Sequence, residues 1–315
     1  MTVKLLTFLF DLLLPLIVGY VLVWKWNFTG KSFDRVITFT IVGVVPFLVL
    51  LSFWNLDLDS RLLMLPILGL MMQFIPGAIG WLRSQFKQQD SLEKGSYVLS
   101  CLICNRGVLG GLAVYILFGE EAYAYSQLVG VFGLPVLVMV AFPLASYYHR
   151  SHHDISEGGR SILDILLDRR QLPLVGLMVG AALNVSGLER PEVCGMIFSV
   201  LIHVVAWALL VPVGASLDFS EIKHHWRGVL DIIPNRFLIC PLLLYIVGTA
   251  LGFEGVLLYT VVILSATPTA INSVVTAKLY NLNVHLAAAA FVLTTTLFMT
   301  VIFPGLLVLF SYFPV

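Results

Sequence analysis

Two apolar segments of the chain, Tyr97–Phe118 and Val256–Lys278, are interrupted near their midpoints by polar and helix-breaking residues. The residues of these interruptions that could bind a solute are Asn105, Arg106, Gly107, Thr267, Pro268, Asn272 and Ser273. Gly107 and Pro268 lie 161 residues apart, and the dipeptides Phe142-Pro143 and Phe303-Pro304 have the same separation. Interrupted apolar segments at matching positions of two halves indicate the binding site of a secondary transporter.

Arg106 predicts an anion site at the first interruption. A guanidinium near the bilayer midplane costs about 2.5–3.5 kcal/mol on insertion scales, so it should face a cavity or a partner. Its fork of donors fits a carboxylate. An unwound helix would add the free N–H groups and positive dipole end of the second half-helix. The alternative is a structural ion pair, for which Asp11 in the first apolar segment is a candidate partner.

The second interruption could bind a substrate or a small cation. Pro268 removes a backbone donor and frees carbonyl groups of the preceding half-helix. The side chains of Thr267, Asn272 and Ser273 could coordinate a solute or could re-satisfy the opened backbone. Elsewhere in the apolar segments, Asp11 and His203 are candidates for carrying a coupling proton, and a packing role is the alternative for His203. We predict no metal site and no cofactor.

The composition is that of an integral membrane protein. Of 315 residues, 59% are hydrophobic and 11% are charged, and the mean hydropathy is +0.97. A soluble protein carries about a quarter of its residues as charged side chains. The formal net charge of +0 gives no indication of a nucleic-acid partner. No clustered nucleophile–base set or HExxH motif lies in the apolar segments, so we do not expect an enzyme.

Apolar runs of about 20 residues predict ten membrane spans. They are Leu5–Val23, Phe33–Phe53, Leu62–Leu82, Tyr97–Phe118, Ala124–Tyr148, Leu172–Leu188, Val193–Ser216, Val229–Leu251, Val256–Lys278 and Leu286–Tyr312. Loops after odd-numbered spans hold 13 of the 18 Lys and Arg residues, the opposite side holds 3, and Arg106 and Arg236 lie within spans. This asymmetry places both termini outside a bacterial plasma (inner) membrane.

The predicted fold is all-α, with two inverted five-helix repeats whose fourth and ninth helices are broken. Residues 1–148 form the first repeat, residues 149–171 a cytoplasmic linker, and residues 172–315 the second repeat. Five spans per half is an odd number, so two similar halves must insert with opposite orientation. The alternative is that the 161-residue offset reflects evenly spaced helices alone.

The same residues resemble the signature motifs of the auxin efflux carrier family. The matching stretches are Cys104–Gly110, Leu117–Ala122, Pro268–Ser273 and Ala277–Tyr280. The resemblance extends over nearly the whole chain. It implies a fold similar to the bile-acid sodium symporters, in which the broken fourth and ninth helices cross. It also implies a scaffold of spans one, two, six and seven, against which the other spans carry substrate, with Asn105 and the stretch Pro268–Asn272 at the crossing.

The chain departs from the family pattern at two positions. Arg106 stands where the family has a small or hydroxyl residue, and Leu112 stands where it has a proline. The short central loop resembles bacterial malonate or organic-anion carriers more than plant auxin exporters. We therefore expect a carrier of a small organic anion that works by alternating access, with a proton or sodium ion as possible partner. The alternatives are a sodium-coupled symporter of the bile-acid type and a carrier fold retained as a ligand sensor, and the sequence leaves a homodimer open.

Overall fold

A computed structural model describes residues 2–26, 30–87, 90–150, 172–217 and 220–312. Most of the predicted linker, residues 151–171, lies outside this part of the chain. Within it the structure is helical, and no β-strand occurs apart from one isolated bridge. The helices that position the site are α1 (Val3–Lys25), α2 (Arg35–Trp54), α3 (Ser60–Ser84), α4 (Ser91–Leu102), α5 (Arg106–Phe118), α6 (Glu120–Arg150), α7 (Leu172–Val185), α8 (Glu192–Ala215), α9 (His225–Ala250), α10 (Gly255–Ser265), α11 (Ile271–Leu279) and α12 (Val284–Phe310).

Seven of the described helices are long and apolar enough to cross a membrane, namely α1, α2, α3, α6, α8, α9 and α12. Three shorter helices, α5, α7 and α10, are also apolar. The prediction of an all-helical, multi-pass membrane protein is confirmed to this extent. The division into ten spans and two inverted repeats stays a prediction.

The start of α6 differs from the predicted spans, which leave Glu120 and Glu121 in the connection between Phe118 and Ala124. Gly119 ends α5 with a φ of 84°, a backbone conformation that glycine adopts readily. The two glutamates then form the first turn of α6, where the helix dipole favours negative charge. The helix therefore begins four residues before the predicted span at Ala124.

Within the described residues, five π-helical segments occur where proline interrupts a helix. Each ends two residues before a proline: Phe8–Leu13 before Pro15, Thr40–Val44 before Pro46, Leu137–Ala141 before Pro143, Asn235–Ile239 before Pro241, and Phe298–Ile302 before Pro304. Proline lacks an N–H, and its ring clashes with the carbonyl one turn earlier. Widening the preceding turn relieves this clash, and such wide turns are frequent at functional sites.

Glycines bring two pairs of helices into backbone contact. A Cβ atom on Gly19 of α1 would lie 1.9 Å from the Val211 carbonyl oxygen of α8. A Cβ atom on Gly180 of α7 would lie 2.4 Å from the Leu50 carbonyl oxygen of α2. Small residues that permit such close approach are typical of helix packing in membranes. Helices α1 and α8, and α2 and α7, therefore pack as fixed pairs.

Candidate functional site

The two interrupted helices meet at their breaks. The backbone N–H of Asn105 donates to the Pro268 carbonyl at 2.8 Å, and the N–H of Ala270 donates to the Ile103 carbonyl at 3.1 Å. These bonds form the isolated antiparallel bridge of the structure. Backbone groups between two half-helices have no helical partner, and leaving them unpaired inside a bilayer is costly. Each break therefore supplies the hydrogen bonds that the other lacks.

The end of the first half-helix, α4, is capped by side chains from α9 and from the second break. The Ser100 carbonyl accepts hydrogen bonds from Thr269 Oγ1 at 2.9 Å and from Arg236 Nη2 at 3.0 Å. The same Arg236 nitrogen donates to the Cys101 carbonyl at 2.6 Å. A cation at the C-terminal end of a helix is stabilised by the helix dipole, so Arg236 fixes the end of α4 at the crossing.

The second half-helix, α5, begins with a cap from Asn105. The Asn105 side-chain oxygen accepts a hydrogen bond from the Leu109 N–H at 3.3 Å. The first turn, Arg106–Gly110, is π-helical and ends two residues before Leu112. Leu112 occupies the position at which the resembled family has proline, and the five other wide turns in the described part of the chain precede a proline at that spacing. The turn thus keeps its wide form without the proline.

Gly110 allows the broken helices to cross closely. A Cβ atom at this position would lie 2.8 Å from Thr267 Cγ2 and 2.9 Å from Leu264 Cδ2. In contrast, Gly107 is exposed, and no atom lies within 4 Å of the place that its Cβ would occupy. Gly110 therefore permits close helix packing, whereas Gly107 leaves open space beside the backbone at the start of α5.

Arg106 points into the helices around the crossing. It is 4% exposed, and its Nη1 donates to the Gly69 carbonyl of α3 and, at 3.4 Å, to the Val129 carbonyl of α6. The described residues place no carboxylate within ion-pair distance of this guanidinium, and Asp11 is paired with His203 instead. Backbone carbonyl groups are thus the partners of Arg106 in this conformation.

The polar side chains of the second break divide into buried and exposed groups. The buried hydroxyls of Thr267 and Ser273 donate to the Leu264 and Ala270 carbonyls, each at 2.8 Å. Both hydroxyls therefore satisfy backbone groups next to Pro268, as the sequence allowed. The Asn272 side chain is exposed, and it lies in the wall of a cavity.

Two cavities lie towards opposite ends of the helices. The cavity of about 840 Å³ that we call the Asn272 cavity is lined by Val23, Thr38, Leu134, Pro212, Ser216 and Asn272, among others. The cavity of about 660 Å³ that we call the Lys4 cavity is lined by Lys4, Thr7, Tyr115, Gly119, His203 and Phe310, among others. Val23 and Lys4 are separated by about 28 Å along α1 at 1.5 Å per residue. The two cavities thus open towards the two ends of the same helix.

Two contacts join neighbouring helices at the end of the structure where the Lys4 cavity lies. The Lys4 ammonium donates to the Leu117 carbonyl at the end of α5, at 2.6 Å. Arg190 forms a two-pronged ion pair with Glu120 at the start of α6, and one of its two bonds is 3.2 Å long. The Arg190 guanidinium also donates to the Leu51 carbonyl at 2.9 Å. These bonds hold α1 and the segment before α8 against α5 and α6.

The two residues predicted to carry a coupling proton lie side by side. Nδ1 of His203 on α8 is 2.5 Å from Oδ2 of Asp11 on α1. Asp11 is buried, whereas 46% of the His203 side chain is exposed. The pair makes no described hydrogen bond to the broken helices, although α8 packs against the first turn of α5, Arg106–Gly110.

Arg236 is a residue of the crossing that the site prediction missed. It is fully buried, and its Nε and Nη1 atoms have no hydrogen-bond partner within the described residues. Its sequence signal is the same as that of Arg106, a lone arginine within a predicted span. Position alone could not show that the side chain of Arg236 reaches from the eighth span to the end of α4.

Comparison with known proteins agrees with the family motifs. The family described as "Membrane transport protein" matches residues 5–306. A protein of Methanothermobacter thermautotrophicus described as "Uncharacterized transporter" is 22% identical over 290 residues, which cover 91% of this chain and 92% of the relative. The family match extends through both broken helices. The resemblance is thereby confirmed, and the chain belongs to this membrane transport protein family, the auxin efflux carrier family.

Proposed function

We propose that this protein is a secondary transporter that moves a small organic anion, a carboxylate, across the plasma membrane by alternating access at the helix crossing. The observation that carries the proposal is the buried Arg106 guanidinium, whose described partners are backbone carbonyls and not a carboxylate. A guanidinium inside a membrane protein is costly without a counter-charge. Binding of an anion offsets this cost, which favours an anionic substrate over a neutral one.

The residues around Arg106 have distinct proposed roles. Nη1 of Arg106 makes both of its described hydrogen bonds, which leaves Nε and Nη2 to bind a carboxylate. The open space beside Gly107 lets the substrate approach the N–H groups at the start of α5. Asn272 faces the larger cavity and orients the substrate from the second break. Asn105 holds the first turn of α5 in place.

We further propose ten spans in two inverted repeats, residues 1–148 and 172–315. The glycine contacts support this arrangement, because Gly19 and Gly180 are 161 residues apart and so are their partners, Val211 and Leu50. The π-helical segments Leu137–Ala141 and Phe298–Ile302 have the same separation. If the two halves are related, a contact in one half should recur in the other with both of its residues shifted by the same number of positions.

The conformation fits a carrier open towards the cytoplasm. The asymmetry of Lys and Arg favours an orientation with the Lys4 cavity outside and the Asn272 cavity at the cytoplasmic end. The Lys4 bond to Leu117 and the Arg190 ion pair with Glu120 join the proposed scaffold to the proposed moving helices on the outer side. The larger cavity lies between these two parts on the inner side. Alternating access would follow if these contacts broke on the outer side and corresponding contacts formed on the inner side.

Ligand-induced stabilisation of the purified protein tests the substrate class. The panel contains mono-, di- and tricarboxylates and their neutral amide analogues, with and without sodium. A ligand at 100 times its dissociation constant adds about 2.7 kcal/mol to the free energy of unfolding. We expect stabilisation by at least one carboxylate, none by its amide, and loss of the effect in Arg106→Ala.

Two further variants make this experiment decisive. Arg106→Lys keeps the charge but loses the planar fork, so we expect weakened binding. Arg227→Ala removes an exposed arginine outside the site and should bind as wild type does. A folded Arg106→Ala variant with unchanged stabilisation would exclude the arginine from the site. Strict dependence on sodium would instead favour the symporter of the bile-acid type.

A further inference from the structure

The Asp11–His203 pair is a buried ionisable pair inside the membrane-spanning helices. Asp11 lies in the π-helical turn Phe8–Leu13 of α1, and its Oδ1 atom is buried without a hydrogen-bond partner. Oδ2 faces His203 Nδ1 at 2.5 Å. A carboxylate that is buried with one unsatisfied oxygen is costly, and ionisable residues within spans are commonly part of ion or proton paths. A role in helix packing alone therefore does not explain why an aspartate is buried at position 11.

The histidine of the pair lines a cavity. The His203 side chain is 46% exposed and forms part of the wall of the Lys4 cavity. The other described titratable side chains that line this cavity are Lys4 from α1 and Tyr115 from α5. Tyr115 also lies within electrostatic reach of Asp11 and Glu120. The faces of α10 and α12 that line the cavity present Val256 and Phe310, which carry no charge.

We propose that Asp11 and His203 together form the binding site of a coupling proton, which is loaded from the Lys4 cavity and promotes binding of the anionic substrate. This inference rests on the proposed carrier function. The proton resides on the His203 imidazole, whose Nδ1–H donates to Asp11. With the proton bound, the pair is imidazolium and carboxylate and has no net charge. Without it, the pair is imidazole and carboxylate and carries one negative charge.

The sign of the coupling follows from these charges. A net negative charge on the pair repels a carboxylate bound at the crossing, because the region between them has a low dielectric, and the bound proton removes this repulsion. Proton and anion therefore bind with positive cooperativity, and each raises the affinity for the other by the same factor. The expected process is symport of the anion with a proton. Because α8 packs on the first turn of α5, the proton acts on the bound anion through the electric field of the pair and not through a contact with Arg106.

The test measures anion affinity as a function of pH by thermal stabilisation, with an anion whose own charge does not change between pH 5.5 and pH 8. In the wild type we expect affinity to fall at least about fivefold from pH 5.5 to pH 8, at the lower end of typical couplings. Asp11→Asn and His203→Gln should each remove this dependence. Lys4→Gln is the matched control, since it should weaken binding similarly at both pH values and keep the ratio.

Histidine NMR provides a readout that needs no ligand. Among the 7 histidines, the signal of His203 is identified by its loss in His203→Gln. We expect this signal to respond to pH in the wild type and to respond differently in Asp11→Asn, which lacks the carboxylate partner. A His203 signal that does not change with pH, or a wild-type affinity that is independent of pH, would overturn the proton site and leave the carrier function standing. Absence of stabilisation by any anion at any pH would overturn both.

Discussion

Replacement of Gly180 by alanine tests the close packing of α7 on α2. The added Cβ would lie 2.4 Å from the Leu50 carbonyl oxygen, and real Cβ contacts are essentially never shorter than 3.0 Å. The two backbones must therefore separate by roughly 0.6 Å, the difference between these distances. Overpacking of this kind costs about 1–3 kcal/mol. The gain of about 1 kcal/mol in helix propensity from glycine to alanine opposes this loss only in part.

Gly195→Ala is a matched control for this substitution. Gly195 also lies inside a helix, α8, but the nearest atom to its added Cβ is Arg190 Nη2, at an ordinary 3.5 Å. Here the helix-propensity gain stands alone, so we expect unchanged or slightly higher stability. Unfolding in mixed detergent micelles, followed by circular dichroism, measures both variants against wild type. A Gly180→Ala protein as stable as Gly195→Ala would refute the backbone contact and weaken the evidence for two related halves.

Three other substitutions test the crossing and the closed outer side. Arg236→Met removes the donor to the Cys101 carbonyl, and thermal unfolding should show a loss of about 1–3 kcal/mol for this buried group; an unchanged stability would contradict the capping role. Glu120→Gln breaks the ion pair with Arg190, so a thiol reagent should label a cysteine introduced in the Lys4 cavity faster than in the parent protein, and equal rates would argue against a closed outer side. Gly107→Ala meets open space and should leave stability unchanged while weakening anion binding; wild-type binding would show that substrate does not approach this backbone.

The positions of the apolar helices and of the two breaks could be predicted from the sequence because the bilayer imposes strong local rules. A span must be apolar over about 20 residues, and a polar interruption such as Asn105–Gly107 is tolerated only where other groups satisfy it. Proline positions further determine local shape, as the five wide turns show. These constraints act within one segment of the chain, so they can be read without knowledge of the neighbouring helices.

Partners across helices could not be predicted in the same way. The candidates for a proton site, Asp11 and His203, are 192 residues apart in sequence, and only packing of α1 on α8 brings them together. Asp11 was likewise an open candidate for pairing with Arg106, a contact that the described conformation does not contain. Side-chain polarity indicates that a partner is needed, but several residues of suitable charge compete for that role until the helix pairs are known.

The glycine motif of α7 gives a second example. The sequence contains Gly176 and Gly180 at the spacing of a helix-packing motif, and nothing local shows whether they face another copy of the chain. In the structure both glycines pack on α2, with added Cβ atoms 2.1 Å from the Pro46 carbonyl oxygen and 2.4 Å from that of Leu50. This face is therefore used within the chain and is closed to a homodimer.

Uptake of a radiolabelled anion into proteoliposomes measures the proposed carrier activity most directly. The anion is the carboxylate that stabilises the purified protein, and vesicles loaded with the unlabelled anion provide exchange without a coupling gradient. We expect saturable uptake by wild type and by Arg227→Ala, and strongly reduced uptake by a folded Arg106→Ala variant. Binding of the carboxylate with no flux by the wild type would contradict transport and identify a ligand sensor, whereas full uptake by Arg106→Ala would contradict the site at the crossing.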